Sequence, residues 1–267
     1  MSDVEFIQID WVGRDVRIEY QWLAPERTAA PLLIFLHEGL GSLSMWKDFP
    51  ATLCQALGCR GLVYSRPGYG RSTPRAPDEV WGVDFMHRQA LEVLPALLDS
   101  LNLNATQPPP WLIGHSDGAS IALLYAAHYP ARCAGVVALA PHIVGEDLSF
   151  SSIEKVRGAY LSTDLRQRLS KYHDDPDSAF FGWNRIWLHP EFKKWSITDE
   201  IASIACPVLA LQGLDDEYGT MEQLHGIQRR VPQTEVLGLP RCGHAPQREQ
   251  PQQVITAVAE FFQQHRN

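Results

Sequence analysis

Apolar and polar residues alternate along 4–10 and again along 15–23, on either side of Gly13, which predicts a β-hairpin. The run 31–36 then turns continuously apolar, as in a strand buried on both faces. Short runs of the same kind recur at 61–64, 111–113, 135–139 and 208–211, and 235–239 reads as a further strand. Helical spacing fills the intervals at 45–57, 83–101, 119–129, 221–231 and 253–263. Pro95 is expected to kink the second of these helices. Strands alternating with helices predict an α/β fold, a mostly parallel sheet with helices on both faces. Between 141 and 200 the buried strand pattern stops. Polar helical stretches with clustered aromatics replace it, so this segment reads as a helical insertion at one edge of a core built from 1–140 and 201–267.

Composition narrows the partners. Lys and Arg number 23 against 31 Asp and Glu, a formal charge of −8, and no basic run interrupts the excess. Such a chain lacks the diffuse attraction that nucleic acid or an anionic membrane surface requires. No apolar stretch approaches the ~18 residues of a spanning helix. The acidic start Met1-Ser2-Asp3-Val4-Glu5 is unlike the basic opening of a signal peptide. The five cysteines are scattered without zinc spacing, so reduced structural thiols in a cytoplasmic protein are expected, with no metal and no cofactor. The expected partner is a small molecule.

The chemistry begins where 111–113 runs into Gly114-His115-Ser116-Asp117-Gly118 and then a helix. G-x-S-x-G between a strand and a helix is a nucleophile elbow: the sharp turn lifts the Ser116 hydroxyl above the sheet. A hydroxyl needs a base, and the base needs an orienting carboxylate. Asp215 and Asp216 follow a buried strand, and His244 lies in the loop after the last one. Ligand chemistry in open α/β sheets gathers at such strand ends.

With His37-Glu38-Gly39-Leu40-Gly41 and Arg66-Pro67-Gly68-Tyr69-Gly70-Arg71-Ser72, these marks fall in order over nearly the whole chain. The sequence resembles a capped α/β-hydrolase-fold serine hydrolase. The resemblance implies that 141–200 is a helical cap and that Ser116, Asp216 and His244 form a catalytic triad. The family's acid stands three residues after the glycine, which selects Asp216; Asp215 is the rival, read as a solvated loop charge. The oxyanion hole is expected to combine the backbone N–H of Asp117 with that of Gly39. The chain departs from the commoner His-Gly pattern by placing Glu38 after His37, so the donor's register within 38–40 stays open.

Glu38 and Asp117 put two carboxylates near a site that stabilises an anion. Each is expected to point away or to pair with Arg66, Arg71 or a histidine. His37 is expected to brace the oxyanion loop, and His115 to be packed or hydrogen-bonded. His142, His173 and His189 are expected at the surface or the pocket edge. Substrate contacts are sought at Glu38, Leu40, His142, Phe181, Trp183 and Trp187. The aromatics equally suit simple packing of the insertion against the core. The expected activity is hydrolysis of a small carboxylic ester or thioester. The alternatives are a carbon–carbon bond hydrolase or enol-lactonase using the same residues, and a ligand-binding module on the same fold.

Overall fold

The computed structural model describes residues 2–76, 78–103 and 109–266. Met1, and Pro77 at the end of the loop that starts at Arg66, lie outside the described residues. Among the described residues, eight strands form one sheet: β1 (Glu5–Trp11), β2 (Arg14–Leu23), β3 (Leu32–Leu36), β4 (Arg60–Tyr64), β5 (Trp111–His115), β6 (Gly135–Leu139), β7 (Val208–Gly213) and β8 (Thr234–Leu239). Their spatial order is β1-β2-β4-β3-β5-β6-β7-β8. The hairpin strands β1 and β2 pair antiparallel, β2 joins β4 antiparallel, and every later pairing is parallel.

The continuous apolar runs follow from a period of two between two covered faces. Leu32, Ile34 and Leu36 of β3 join one core, with Leu112, Val136, Ala138, Val208 and Ala210. Leu33 and Phe35 join the other, with Ile113, Val137, Leu139, Leu209 and Leu211. Helices α1 (Phe49–Leu57) and α10 (Pro251–His265) cover the second core, through Leu53, Val254, Val258 and Phe262. The first lies under α2 (Phe85–Arg88), α3 (Leu94–Ser100), α4 (Asp117–His128) and α8 (Glu222–Arg230). The remaining helices are α5 (Asp147–Ser162), α6 (Leu165–Leu169), α7 (Pro176–Trp187) and α9 (Pro246–Glu249).

Two expected helices are broken, each at a proline. The stretch 45–57 divides into a 3₁₀ turn at Leu43–Trp46 and α1, with Pro50 in the first turn of α1. Proline has no N–H to donate, so a helix tolerates it there and not in its interior. Between α2 and α3 a π-helical turn at Gln89–Val93 widens the coil just before Pro95. The wider turn takes up the missing hydrogen bond and the ring's clash with the preceding turn.

Between β6 and β7 the chain makes α5, α6 and α7 and adds no strand to the sheet. It leaves and returns at one place. Val144 and Ser196 form an isolated antiparallel bridge, and the Ile197 N–H donates to the Ile143 carbonyl at 2.9 Å. Among the described residues, no helix is long and apolar enough to cross a membrane.

Candidate active site

The chain leaves β3 for β4 on one side and reaches β5 on the other, so a crevice opens at the carboxyl ends of β3 and β5. The first residues beyond β5 make the elbow. Ser116 has φ 53° and ψ −120°, a strained conformation for a side-chain-bearing residue that costs about 1–3 kcal/mol. Its flanks must be glycine because backbones meet there. A Cβ on Gly118 would run into the Leu36 carbonyl, and one on Gly114 into the Gly118 carbonyl. The Ser116 N–H, donating to the Leu139 carbonyl at 2.9 Å, ties the turn to β6.

The hydroxyl lies 3.0 Å from His244 Nε2, and His244 Nδ1 lies 2.9 and 2.8 Å from the two oxygens of Asp216. A carboxylate only accepts, so Nδ1 carries the proton and Nε2 is free to accept from Ser116. Asp216 Oδ1 also accepts from the Tyr218 N–H at 2.8 Å and the Gly219 N–H at 3.3 Å. Burial pushes the Asp216 carboxyl up, but the His244 hydrogen bond, that ring's charge and the Tyr218 N–H hold it below its ordinary value. Asp215 is exposed. A hydroxyl, an imidazole and a carboxylate linked in this order can deprotonate the hydroxyl as it attacks an electrophilic carbonyl.

The second strand end supplies a rigid turn. The Glu38 carbonyl accepts from His37 Nδ1 at 2.7 Å, Arg66 Nη2 at 2.9 Å and the Gly41 N–H at 3.0 Å. His37 Nε2 accepts from the Arg66 N–H at 3.0 Å, which fixes the tautomer. The peptide is planar and trans, so pinning the Glu38 carbonyl turns the Gly39 N–H the opposite way. Asp117 opens α4, where its N–H has no intrahelical acceptor. Gly39 and Asp117 border the same cavity as Ser116.

That cavity encloses about 230 Å³. Trp183 and Trp187 of α7 and Ile153 and Val156 of α5 supply its apolar wall, with Leu40 below. Leu40 is held by its carbonyl, which accepts from His173 Nε2 at 3.1 Å. Glu217, Arg248 and Glu249 stand at the border, beside Tyr218, whose ring centroid is 4.7 Å from that of His244.

Glu38 lies beside a histidine, as expected, whereas Asp117 is buried against an indole donor in place of a base. Glu38 Oε2 is 3.5 Å from His115 Nδ1. Burial raises the Glu38 carboxyl, and the His115 contact and nearby imidazole charge overcome this, bringing it to about 2. Asp117 takes its hydrogen bond from Trp187 Nε1 at 3.1 Å; burial raises its carboxyl, opposed by the charge of Arg66 and by the Trp187 bond.

Phe181 is not at the cavity. It packs on Tyr160 and Phe180 and lies beneath Arg185. Trp183 and Trp187, four residues apart, share a helix face, whereas a residue two before Trp183 points elsewhere. His173 is buried rather than at the surface or the pocket edge: Nδ1 accepts from the Gly70 N–H at 2.9 Å while Nε2 holds Leu40. Sequence reading missed Ile153, Val156 and Tyr218. Their signals, an i, i+3 apolar pair and a residue two past the acid, are too common to single out.

Burial carries a pH cost. His142 is lowered to about 3, by burial first and then by His244, and burial also lowers His37 and His173. Below the unfolded value of about 6.5, the unfolded chain takes protons that the folded one refuses. Stability is therefore complete above that pH and falls as pH drops below it, by up to about 1.4 kcal/mol per pH unit for each such histidine. The urea midpoint should move markedly lower between about pH 7.5 and about pH 5. An unchanged midpoint would mean that these rings gain protons without unfolding.

The sheet, the elbow and the two loops beyond β7 and β8 define a class, and the comparisons agree with it. The alpha/beta hydrolase family profile matches residues 33–257, and the chain belongs to this family. It is 24% identical over 246 residues to a 2-hydroxy-6-oxo-6-phenylhexa-2,4-dienoate hydrolase of Burkholderia cepacia, covering 81% of this chain and 82% of that one. It is 25% identical over 253 residues to a bifunctional esterase/perhydrolase of Acinetobacter calcoaceticus, covering 82% and 81%. A thermophilic esterase from Thermogutta terrifontis has the same fold, with TM-score 0.74, 20% identity and full coverage of both chains.

Proposed function

We propose that the protein is a serine hydrolase of small carboxylic esters, with Ser116 as nucleophile, His244 as general base and Asp216 as the acid that orients it. The observation that carries this reading is the unbroken hydrogen-bond chain from Ser116 through His244 to Asp216 at the floor of a cavity. The Ser116 oxygen attacks the ester carbonyl as its proton passes to His244 Nε2. The N–H groups of Gly39 and Asp117 receive the charge that develops on the carbonyl oxygen. His244 returns the proton to the leaving alcohol, then activates water to release the acid. The segment 141–200 serves as the cap, its tryptophans closing the cavity from above.

A small ester suits this site better than the larger substrate named for the Burkholderia relative. The cavity is below the usual ~300–1,000 Å³ of ligand pockets, and three glutamates border it against one arginine. A ring-fission dienoate carries a carboxylate that these acids oppose. Labelling with a fluorophosphonate probe tests the reading: Ser116 should be the modified residue, and labelling should be lost in Ser116→Ala. A protein that stays unlabelled while binding ligands would instead be a binding module.

Trp183→Ala opens the wall beside Gly39, where a Cβ on Gly39 would strike the Trp183 indole. It should change relative kcat/KM between short and long acyl esters by about 10-fold or more. Phe181→Ala, outside the cavity, should lower stability and leave that ranking as it was. The opposite pattern would move the acyl pocket to the other face of α7.

A further inference from the structure

Two buried polar side chains on the cavity floor have hydrogen-bonding capacity that the proposed chemistry leaves unused. His142 is 2% exposed and borders the cavity, clamped by its backbone to α4: Ser120 Oγ donates to its carbonyl at 2.6 Å. Its ring stands between Trp187, at 4.9 Å, and His244, at 5.6 Å between centroids. Its Nδ1 is buried without a partner, and no protein group bonds its Nε2 among the described residues. Asp117 is 1% exposed; Trp187 donates to Oδ1, and Oδ2 has no partner among the described residues. Trp187 touches both, so an acceptor and an imidazole flank one indole beside the nucleophile. His142 Nε2 and Asp117 Oδ2, at residues that border the cavity, therefore have no protein partner among the described residues, and a ligand group that bonds to them is favoured over one that desolvates them and leaves them unpaired.

We propose that this pair is a recognition subsite for a hydroxyl group on the acyl chain, close to the carbonyl, so that the substrates are hydroxyacyl esters. The inference rests on the serine-hydrolase reading of the same site. The hydroxyl donates to Asp117 Oδ2 and accepts from His142 Nε2. Hydrogen-bonding capacity and charge together select a hydroxyl over the other small polar groups. An ammonium has no lone pair with which to accept from His142 Nε2, so it would satisfy Asp117 alone. A carboxylate would face Asp117, Glu38, Glu217 and Glu249 with Arg248 as the cation at the border. His142 stays neutral near pH 7, held there by burial, so it offers hydrogen bonds without adding charge beside the base.

The test compares ethyl 3-hydroxybutyrate with ethyl butyrate, ethyl 3-aminobutyrate and monoethyl succinate. The hydroxy ester should exceed ethyl butyrate in kcat/KM by about 10-fold or more, because the unsubstituted chain leaves both buried groups unpaired. His142→Phe should bring that ratio close to one, and His142→Asn, which keeps an amide donor and acceptor, should retain part of it. Equal rates on the two esters in the wild type overturn the proposal, as does a preference that survives His142→Phe or one for the amino or succinyl ester. Calorimetric titration of the same esters onto Ser116→Ala reads the subsite without catalysis. The hydroxy ester should bind at least about 10-fold more tightly than ethyl butyrate, and equal binding overturns the subsite. Loss of Ser116 labelling, by contrast, counts against the serine mechanism alone.

Discussion

Ser116→Ala should lower kcat on a small ester by at least about 10³-fold, and by as much as about 10⁶-fold if the three groups act as a unit. The expected loss is large because the substitution removes the atom proposed to form the acyl-enzyme and leaves only the proposed oxyanion donors and the binding surface. Alanine keeps the Cβ and meets the same φ of 53° that serine already bears, so the elbow's strain is unchanged. The thermal midpoint should stay within a few degrees of the wild type. The measurement is steady-state hydrolysis paired with thermal unfolding. Retained activity in a folded variant would remove the serine mechanism, and parallel loss of fold and activity would point to a structural role for the elbow.

Asp216→Asn should cost about 10⁴ in kcat, and Asp215→Asn should cost little. The asparagine matches the carboxylate in shape but can present N–H₂ to His244 Nδ1. The ring proton then moves to Nε2, the nitrogen that must accept from Ser116 at 3.0 Å. The backbone donors Tyr218 and Gly219 would compete for the single remaining oxygen. Asp215 is exposed, and its backbone N–H, rather than its side chain, holds the turn by donating to the Cys242 carbonyl at 2.9 Å. The two variants assayed side by side decide between the adjacent acids. An equal drop for both would indicate that the loop after β7 has moved as a whole.

The sequence by itself determined the layered sheet and the chain order of the elements, because both are local. Continuous apolar runs at β3, β5, β6 and β7 require cover on two faces. The glycines around Ser116 mark a place where only a backbone without Cβ fits, whereas the pattern ran one helix through Pro50 and a kink at Pro95, and the structure starts α1 at the first and widens the coil before the second. What it could not decide are contacts between residues far apart in the chain. Glu38 reaches His115 across the crevice, His173 reaches back to Gly70 and Leu40, and Trp187 lands on Asp117. None of these pairs has a spacing signature, since each depends on how separate elements are packed. The rotation of α7 is the clearest case: three aromatics within seven residues read alike as letters, and packing against the core turned two into the cavity and one away. His142, sought from the sequence at the pocket edge, is set by the tertiary structure alone: buried, with Nδ1 unpartnered, beside His244.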